Sequence, residues 1–224
     1  MPRKIVIGDI HGCNLSFKSL LHEHLLIQKE DDIYILGDYV DRGPDSKGVL
    51  DTIMSLLEKG FQLHTLRGNH EQMMMDSANE LPAFFQWILN GGEETQESFK
   101  VRRYQDLPER YRNFFAHTKL YLETDGHILV HAGLNFKEDD LFADQDYMLW
   151  GRGFRSTQKK LGDRILIHGH TPKPLEYILT QKGNCYNLDG GCVFGNKRKG
   201  MGYLVALILD EMKFVYTKCI DKTQ

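Results

Sequence analysis

The chain has no apolar run long enough to cross a bilayer; its longest, residues 203–209, is the length of a strand. The N-terminus carries two basic residues but only Ile5-Val6-Ile7 before a glycine and an aspartate, too short for a secretory h-region, so a cytoplasmic location is expected. Long basic blocks are missing as well. With a formal net charge of -3, nothing in the composition supports a nucleic-acid-binding or membrane-binding surface. Cysteine is scarce: Cys13, Cys185, Cys192 and Cys219 show no Cys-x-x-Cys pair and no zinc-finger spacing, and reduced thiols are the expected state. Internal repeats and low-complexity segments are also lacking. What remains is 224 residues, 41% hydrophobic and 26% charged, enough to bury a full core as a single domain over residues 1–224.

The order of apolar runs gives the fold class. Ile5-Val6-Ile7, residues 33–36 and residues 61–66 read as buried strands. Between them lie helical patterns, one from Asn14 to about Gln28 and one capped by Asp45 or Ser46 and stopped by Gly60. Strand, helix, strand, helix, strand argues for parallel strands with crossover helices, hence α/β architecture. His22 and His24 on the first helix read as surface residues, and His64 as one of the alternating side chains of the third strand. Residues 71 to about 118 turn helical, with Met73-Met74-Met75, Phe84-Phe85-Trp87 and Tyr111-Phe114-Phe115 as faces packing on the sheet, a cap over the strand-end loops being the alternative. A hairpin is expected at Thr124-Asp125-Gly126. Further strands are expected at residues 164–167, 177–180, 184–188, 201–209 and 214–218, which implies a second sheet.

The chemistry collects at strand ends, where open α/β sheets place ligands. Asp9, His11, Asp38, Asn69, His131 and His170 follow apolar runs at five strand ends. A single strand-end histidine is most often structural; six such positions are hard to explain by packing. Carboxylate, imidazole and amide donors together suit two divalent ions such as manganese, iron or zinc. A shared carboxylate would hold such a pair roughly 3.5–4 Å apart, the separation that clamps an in-line displacement at phosphorus and makes hydroxide available near neutral pH. Arg42 can grip the phosphate with paired hydrogen bonds. His70 is a candidate acid for the departing oxygen, with Asp41 fixing its tautomer and raising its pKa.

Gly8-Asp9-Ile10-His11-Gly12, Gly37-Asp38-Tyr39-Val40-Asp41-Arg42-Gly43, Leu66-Arg67-Gly68-Asn69-His70-Glu71, His131-Ala132-Gly133-Leu134 and the later His170 closely resemble the phosphoprotein phosphatase (PPP) family of calcineurin-like metallophosphoesterases. The resemblance implies two mixed β-sheets packed as a sandwich flanked by helices. It implies one metal ion, manganese foremost, on Asp9, His11 and Asp38, a second on Asp38, Asn69, His131 and His170, and Asp38 as the bridge. It further implies His70 with Asp41 as the general acid, and Arg42, Asn69 and a second arginine on the phosphate. By position in Trp150-Gly151-Arg152 that arginine is Arg152, with Arg155 as the alternative.

Chain size and the segment His168-Gly169-His170-Thr171 look more like the small bacterial and phage, lambda phosphatase-like branch. His168 then stands behind the ligand His170, and Cys13 replaces a glutamine common in relatives. Residues 188–195 resemble the loop that overhangs the site in this branch, next to the basic cluster Lys197-Arg198-Lys199. The implied activity is hydrolysis of phosphate monoesters, phosphoserine and phosphothreonine in proteins first, by dimetal-bound hydroxide. A symmetrical dinucleoside polyphosphate (diadenosine tetraphosphate) hydrolase is the alternative at the same site. The expected partner is accordingly a phosphorylated protein or a small phosphoester.

Overall fold

The computed structural model describes residues 2–153 and 158–223. Among these described residues nine strands form two sheets: β1 (Lys4–Ile7), β2 (Asp32–Ile35), β3 (Gln62–Thr65), β8 (Tyr203–Ile208) and β9 (Lys213–Lys218) in the order β3-β2-β1-β8-β9, and β4 (Tyr121–Thr124), β5 (His127–Val130), β6 (Ile165–His168) and β7 (Cys185–Asn187) in sequential order. In the first sheet β1, β2 and β3 are parallel, with Ile5 opposite Ile33 and Ile33 opposite Leu63, while β8 pairs antiparallel with β1 and β9 antiparallel with β8. In the second, β5, β6 and β7 are parallel and β4 closes a hairpin on β5.

Alternation along the strands explains why the sheets stack, since successive side chains point to opposite faces. Val6, Leu36, Val205 and Leu207 from the first sheet meet Leu129, Ile167 and Leu188 from the second in one apolar layer. Their chain neighbours Ile5, Ile7, Leu204, Ala206 and Ile208 face outward under helices, and Ile128, Val130 and Leu166 do so on the far side of the second sheet. Each of the buried Val, Leu and Ile side chains contributes about 1.5–3 kcal/mol relative to exposure. The helices over the first sheet are α1 (Asn14–Ser19), α2 (Ser46–Glu58), α3 (Asn69–Asp76), α4 (Leu81–Trp87), α5 (Glu93–Phe99) and α6 (Glu109–Ala116); α7 (Gln145–Trp150), α8 (Gln158–Leu161) and α9 (Leu175–Leu179) follow. No helix among the described residues is long and apolar enough to cross a membrane.

Two expectations need correction. The first helix does not run to Gln28: after Ser19 it widens, the Leu25 amide donating to the carbonyl of Leu20 rather than Leu21, and Leu15 and Leu26 are left exposed. Residues 177–180 are not a strand. Pro174 fixes the entry to α9, and only Ile178 of that turn is buried, so one side chain anchors a short helix where a strand would have needed alternate burial. His22 and His24 are exposed as expected. His64 stacks on Tyr34 with ring centroids 4.7 Å apart, away from the strand-end loops.

Candidate metal centre

The loops leaving β1, β2, β3, β5 and β6 converge at one end of the paired sheets. Asp9 and His11 follow β1, Asp38, Asp41 and Arg42 follow β2, Asn69 and His70 open α3 after β3, His131 follows β5, and His170 follows β6. Apart from Arg42, all of them are at most 5% exposed. The backbone is bent sharply to bring them in. Of eight non-glycine residues with positive φ among the described residues, five are His11, Asp38, Asp41, Arg42 and His170. Left-handed backbone at bulky residues is costly and concentrates at sites where the surrounding structure imposes it. Gly37, with φ of 102°, lets the chain bend there; a Cβ would lie 2.4 Å from the Gly68 nitrogen, so the two motif backbones can approach this closely only at glycine.

Asp38 stands between two groups of donors. Its Oδ2 lies 3.3 Å from His11 Nε2 and its Oδ1 3.5 Å from His131 Nε2. One donor atom each from His11, Asp38 and His70 fall within 4.8 Å of one another, and so do those of Asp38, His131 and His170. Asn69 Oδ1 completes the second group, 3.0 Å from His131 Nε2 and 2.8 Å from His170 Nδ1. Asp9 lies outside both trios; its carboxylate accepts the His170 backbone N–H at 3.0 and 3.2 Å.

The tautomers follow from the backbone. His131 Nδ1 donates to Leu36 O and His11 Nδ1 donates to Val40 O, each at 2.9 Å, so in the neutral rings Nε2 carries a lone pair. Burial holds His131 below its ordinary pKa, which keeps it neutral. Its Nε2 lone pair therefore faces oxygens of Asp38 and Asn69 with no proton between them. His170 Nε2 is buried with no hydrogen-bond partner. Lone pairs that converge on shared space are a donor set for cations, and imidazole, carboxylate and amide oxygen fit borderline-to-hard divalent ions.

Negative charge is concentrated here. Asp9 is pushed well above the ordinary carboxylate range by burial and by the neighbouring Asp189 and Asp38. Asp189, which sequence reasoning left without a role, is pushed up to about 6 by burial; its Oδ1 accepts the Gly191 N–H at 2.9 Å. Arg42 Nη1 donates to His11 Nε2 at 2.9 Å, the position a cation or a phosphate oxygen would contest. Arg152 is exposed near His170 and lines, with His168, Lys173 and Tyr177, a cavity of about 420 Å³. Arg155 lies outside the described residues. His168 is buried behind His170 and held down to about 4 by burial.

His70 and Asp41 are paired, Nδ1 donating to Oδ2 at 2.8 Å. The carboxylate is braced by Trp87 Nε1 at 2.9 Å and Thr95 Oγ1 at 2.7 Å. Trp87, in a cluster expected to pack in the core or else to cap the site, also holds Asp41 in place. The expected rise in the His70 pKa is not found. Burial, the largest influence, outweighs the pull of Asp38 and Asp41 and leaves the imidazole below its ordinary value.

Glu71 was visible in its motif but its task was not. Fully buried, it accepts backbone N–H groups from Asp38, Tyr39 and Gly68 at 2.8 Å each and from Val40 at 3.3 Å, locking the loop after β2 to the start of α3. Burial and then the charge of Asp38 push its carboxyl up to about 8, against the N–H groups that favour the anion. Glu71→Gln would turn an NH2 toward two of these donors. It is expected to cost about 1–3 kcal/mol of stability, read as a lower urea midpoint at unchanged m-value.

The Calcineurin-like phosphoesterase family model matches residues 2–202. The chain is 39% identical to a serine/threonine-protein phosphatase 1 of Salmonella typhimurium over 86% of this chain and 88% of that protein. It is 27% identical to an asymmetrical bis(5'-nucleosyl)-tetraphosphatase of Anoxybacillus flavithermus, over 94% and 91%. A cold-active protein-tyrosine phosphatase of a Shewanella species shares the fold, with a TM-score of 0.64 at 15% identity over 98% of this chain and 80% of that one. The convergent donors lie within a match that spans nearly the whole chain, and the protein is a member of the calcineurin-like metallophosphoesterase family.

Proposed function

We propose that residues 1–224 act as a single catalytic domain that hydrolyses phosphate monoesters, phosphoserine and phosphothreonine in proteins foremost. The metal ligands on this reading are Asp9, His11 and Asp38 on one side and Asp38, Asn69, His131 and His170 on the other. The observation that carries it is Asp38, with one carboxylate oxygen toward His11 and the other toward His131. Bound there, two divalent ions, manganese first among iron and zinc, supply Lewis-acid charge and water acidified toward neutrality.

The chain's own residues do the rest. Arg42 leaves His11 Nε2 to grip the phosphate oxygens, joined by Asn69 and, from the rim, by Arg152. His70 keeps its Nδ1 proton on Asp41, so Nε2 is the atom that faces the reacting group and delivers a proton to the departing oxygen. An incoming phosphate adds negative charge beside His70 and offsets the burial that lowers its pKa. The walls around these groups are buried, which strengthens each charge contact.

The identity shared with the Salmonella phosphatase favours a monoester over an anhydride. Cleavage of dinucleoside polyphosphates by the same groups is the second reading, favoured by the Anoxybacillus relative. A manganese-loaded sample assayed on a phosphoserine peptide and on diadenosine tetraphosphate, with products resolved, separates them. The expected kcat/KM ratio favours the peptide by about tenfold or more, a difference of about 1.4 kcal/mol; a ratio inverted toward the dinucleotide would replace the monoester reading with the anhydride one.

A further inference from the structure

Outside the histidine and aspartate centre, one other cluster of metal-ligating side chains converges among the described residues. Cys13 follows the first motif loop, Cys192 lies in the loop after β7, and Cys219 follows the last strand, yet their sulfurs all lie within 4.8 Å of one another. All three are free thiols. Cys13 and Cys192 are buried, and Cys219 is half-buried, which leaves a way in from solvent. Oxygen lies beside Cys219: the Asp221 carbonyl is 3.8 Å from its Sγ, while the Asp221 carboxylate accepts from Ser16 Oγ at 2.6 Å and from the Leu15 and Ser16 N–H groups.

A buried cysteine on its own behaves as a small hydrophobe in a core. Three sulfurs from three distant segments within 4.8 Å of one another, with a carbonyl oxygen beside Cys219, form a donor set. Sulfurs around a tetrahedral zinc, at about 2.3 Å from the metal, sit about 3.8 Å apart. Closing the observed triangle onto a cation therefore takes a shift of about 1 Å at most. Soft thiolates reject manganese and magnesium and select zinc-like ions, so the cluster differs in preference from the nitrogen and oxygen donors around Asp38.

We infer that Cys13, Cys192 and Cys219 form a second metal site that takes a thiophilic divalent cation of the zinc type, with oxygen from water or Asp221 in the fourth position. Each sulfur releases its proton to buffer as it binds. The ion ties together a loop two residues past His11, a loop three residues past Asp189, and the end of β9. It does so without touching substrate, so its role is to hold those loops and not to react.

The test uses the full chain, reduced, stripped with chelator and titrated anaerobically with cobalt(II). The nitrogen and oxygen centre gives no sulfur charge transfer, whereas thiolate ligation gives an intense near-ultraviolet band. The expected result is a band saturating at about one equivalent of thiolate-bound metal, retained in Asp38→Asn and lost in Cys219→Ser. Zinc is expected to slow alkylation of Cys13, Cys192 and Cys219 by about tenfold or more while leaving Cys185, outside the cluster, unchanged. The unmodified chain alone decides the matter if a variant does not fold. Absence of the band in it, a band undiminished in a folded Cys219→Ser, or a disulfide between any two of the three thiols in protein isolated from cells would overturn the assignment.

Discussion

Asp38→Asn is expected to lower kcat/KM by about 10²–10³-fold and to abolish the rise in Tm that manganese gives the unaltered protein. Metal ions acting as Lewis acids supply several kcal/mol of charge stabilisation, and about 1.4 kcal/mol is a factor of ten in rate. Loss of the shared ligand weakens both halves of the site, because its two oxygens face His11 and His131 separately. The Asp38 carboxyl is held well below its ordinary range: burial opposes the charge, and His131, His70 and His11, once protonated on the acid side, outweigh it. Without metal, the anion is crowded by Asp9, whose own carboxyl is pushed up by Asp38. Asparagine relieves that repulsion but also removes an anion that the folded site favours on balance, so in chelator the variant should melt below the parent. Thermal melts with and without manganese separate the two effects. A variant that keeps both the manganese-induced shift and its activity would remove Asp38 from the role of bridge.

The legible part of this molecule is what a strand and its exit loop encode locally. Ile5-Val6-Ile7 announces a strand because three consecutive apolar side chains need cover on both faces, and the structure supplies it, Val6 toward the second sheet and Ile5 and Ile7 toward the helices. The residues at the strand ends were legible for the same reason, since a parallel sheet brings all its exit loops to one edge. Strand order was not: that β8 pairs with β1 is decided by contacts between residues some 200 positions apart, and no local pattern carries them. Glu71 shows a related limit. It stands three residues past Gly68, a capping spacing, but the N–H groups it accepts from Asp38, Tyr39 and Val40 belong to another loop. Trp87, Thr95 and the three clustered cysteines were hidden likewise, each ordinary in its own segment and specific only once distant segments meet.

His70→Asn is expected to lower kcat on a phosphoserine peptide by about 10²–10⁴-fold, the usual contribution of a positioned acid, with KM little changed. The same variant should lose less than about tenfold on a nitrophenyl phosphate, because a stabilised phenolate departs without a proton and little general-acid catalysis is lost. The geometry dictates this split. Nδ1 is committed to Asp41 at 2.8 Å, so the only mobile proton is on the opposite nitrogen. Asp41 cannot swing away, held by Trp87 and Thr95. Asp41→Asn presents an amide that can accept the same N–H or donate to the ring and reverse the tautomer, and it removes one of the charges that support the imidazolium against burial. It should therefore show the same substrate split as His70→Asn, with its residual activity falling off at lower pH, since a weaker acid-stabilising field lets the ring lose its proton earlier. Paired rate measurements on the two substrates across pH decide the assignment. Equal losses on both would mean that His70 serves by packing edge-on against His11, whose ring centroid is 4.7 Å away, and not by moving a proton.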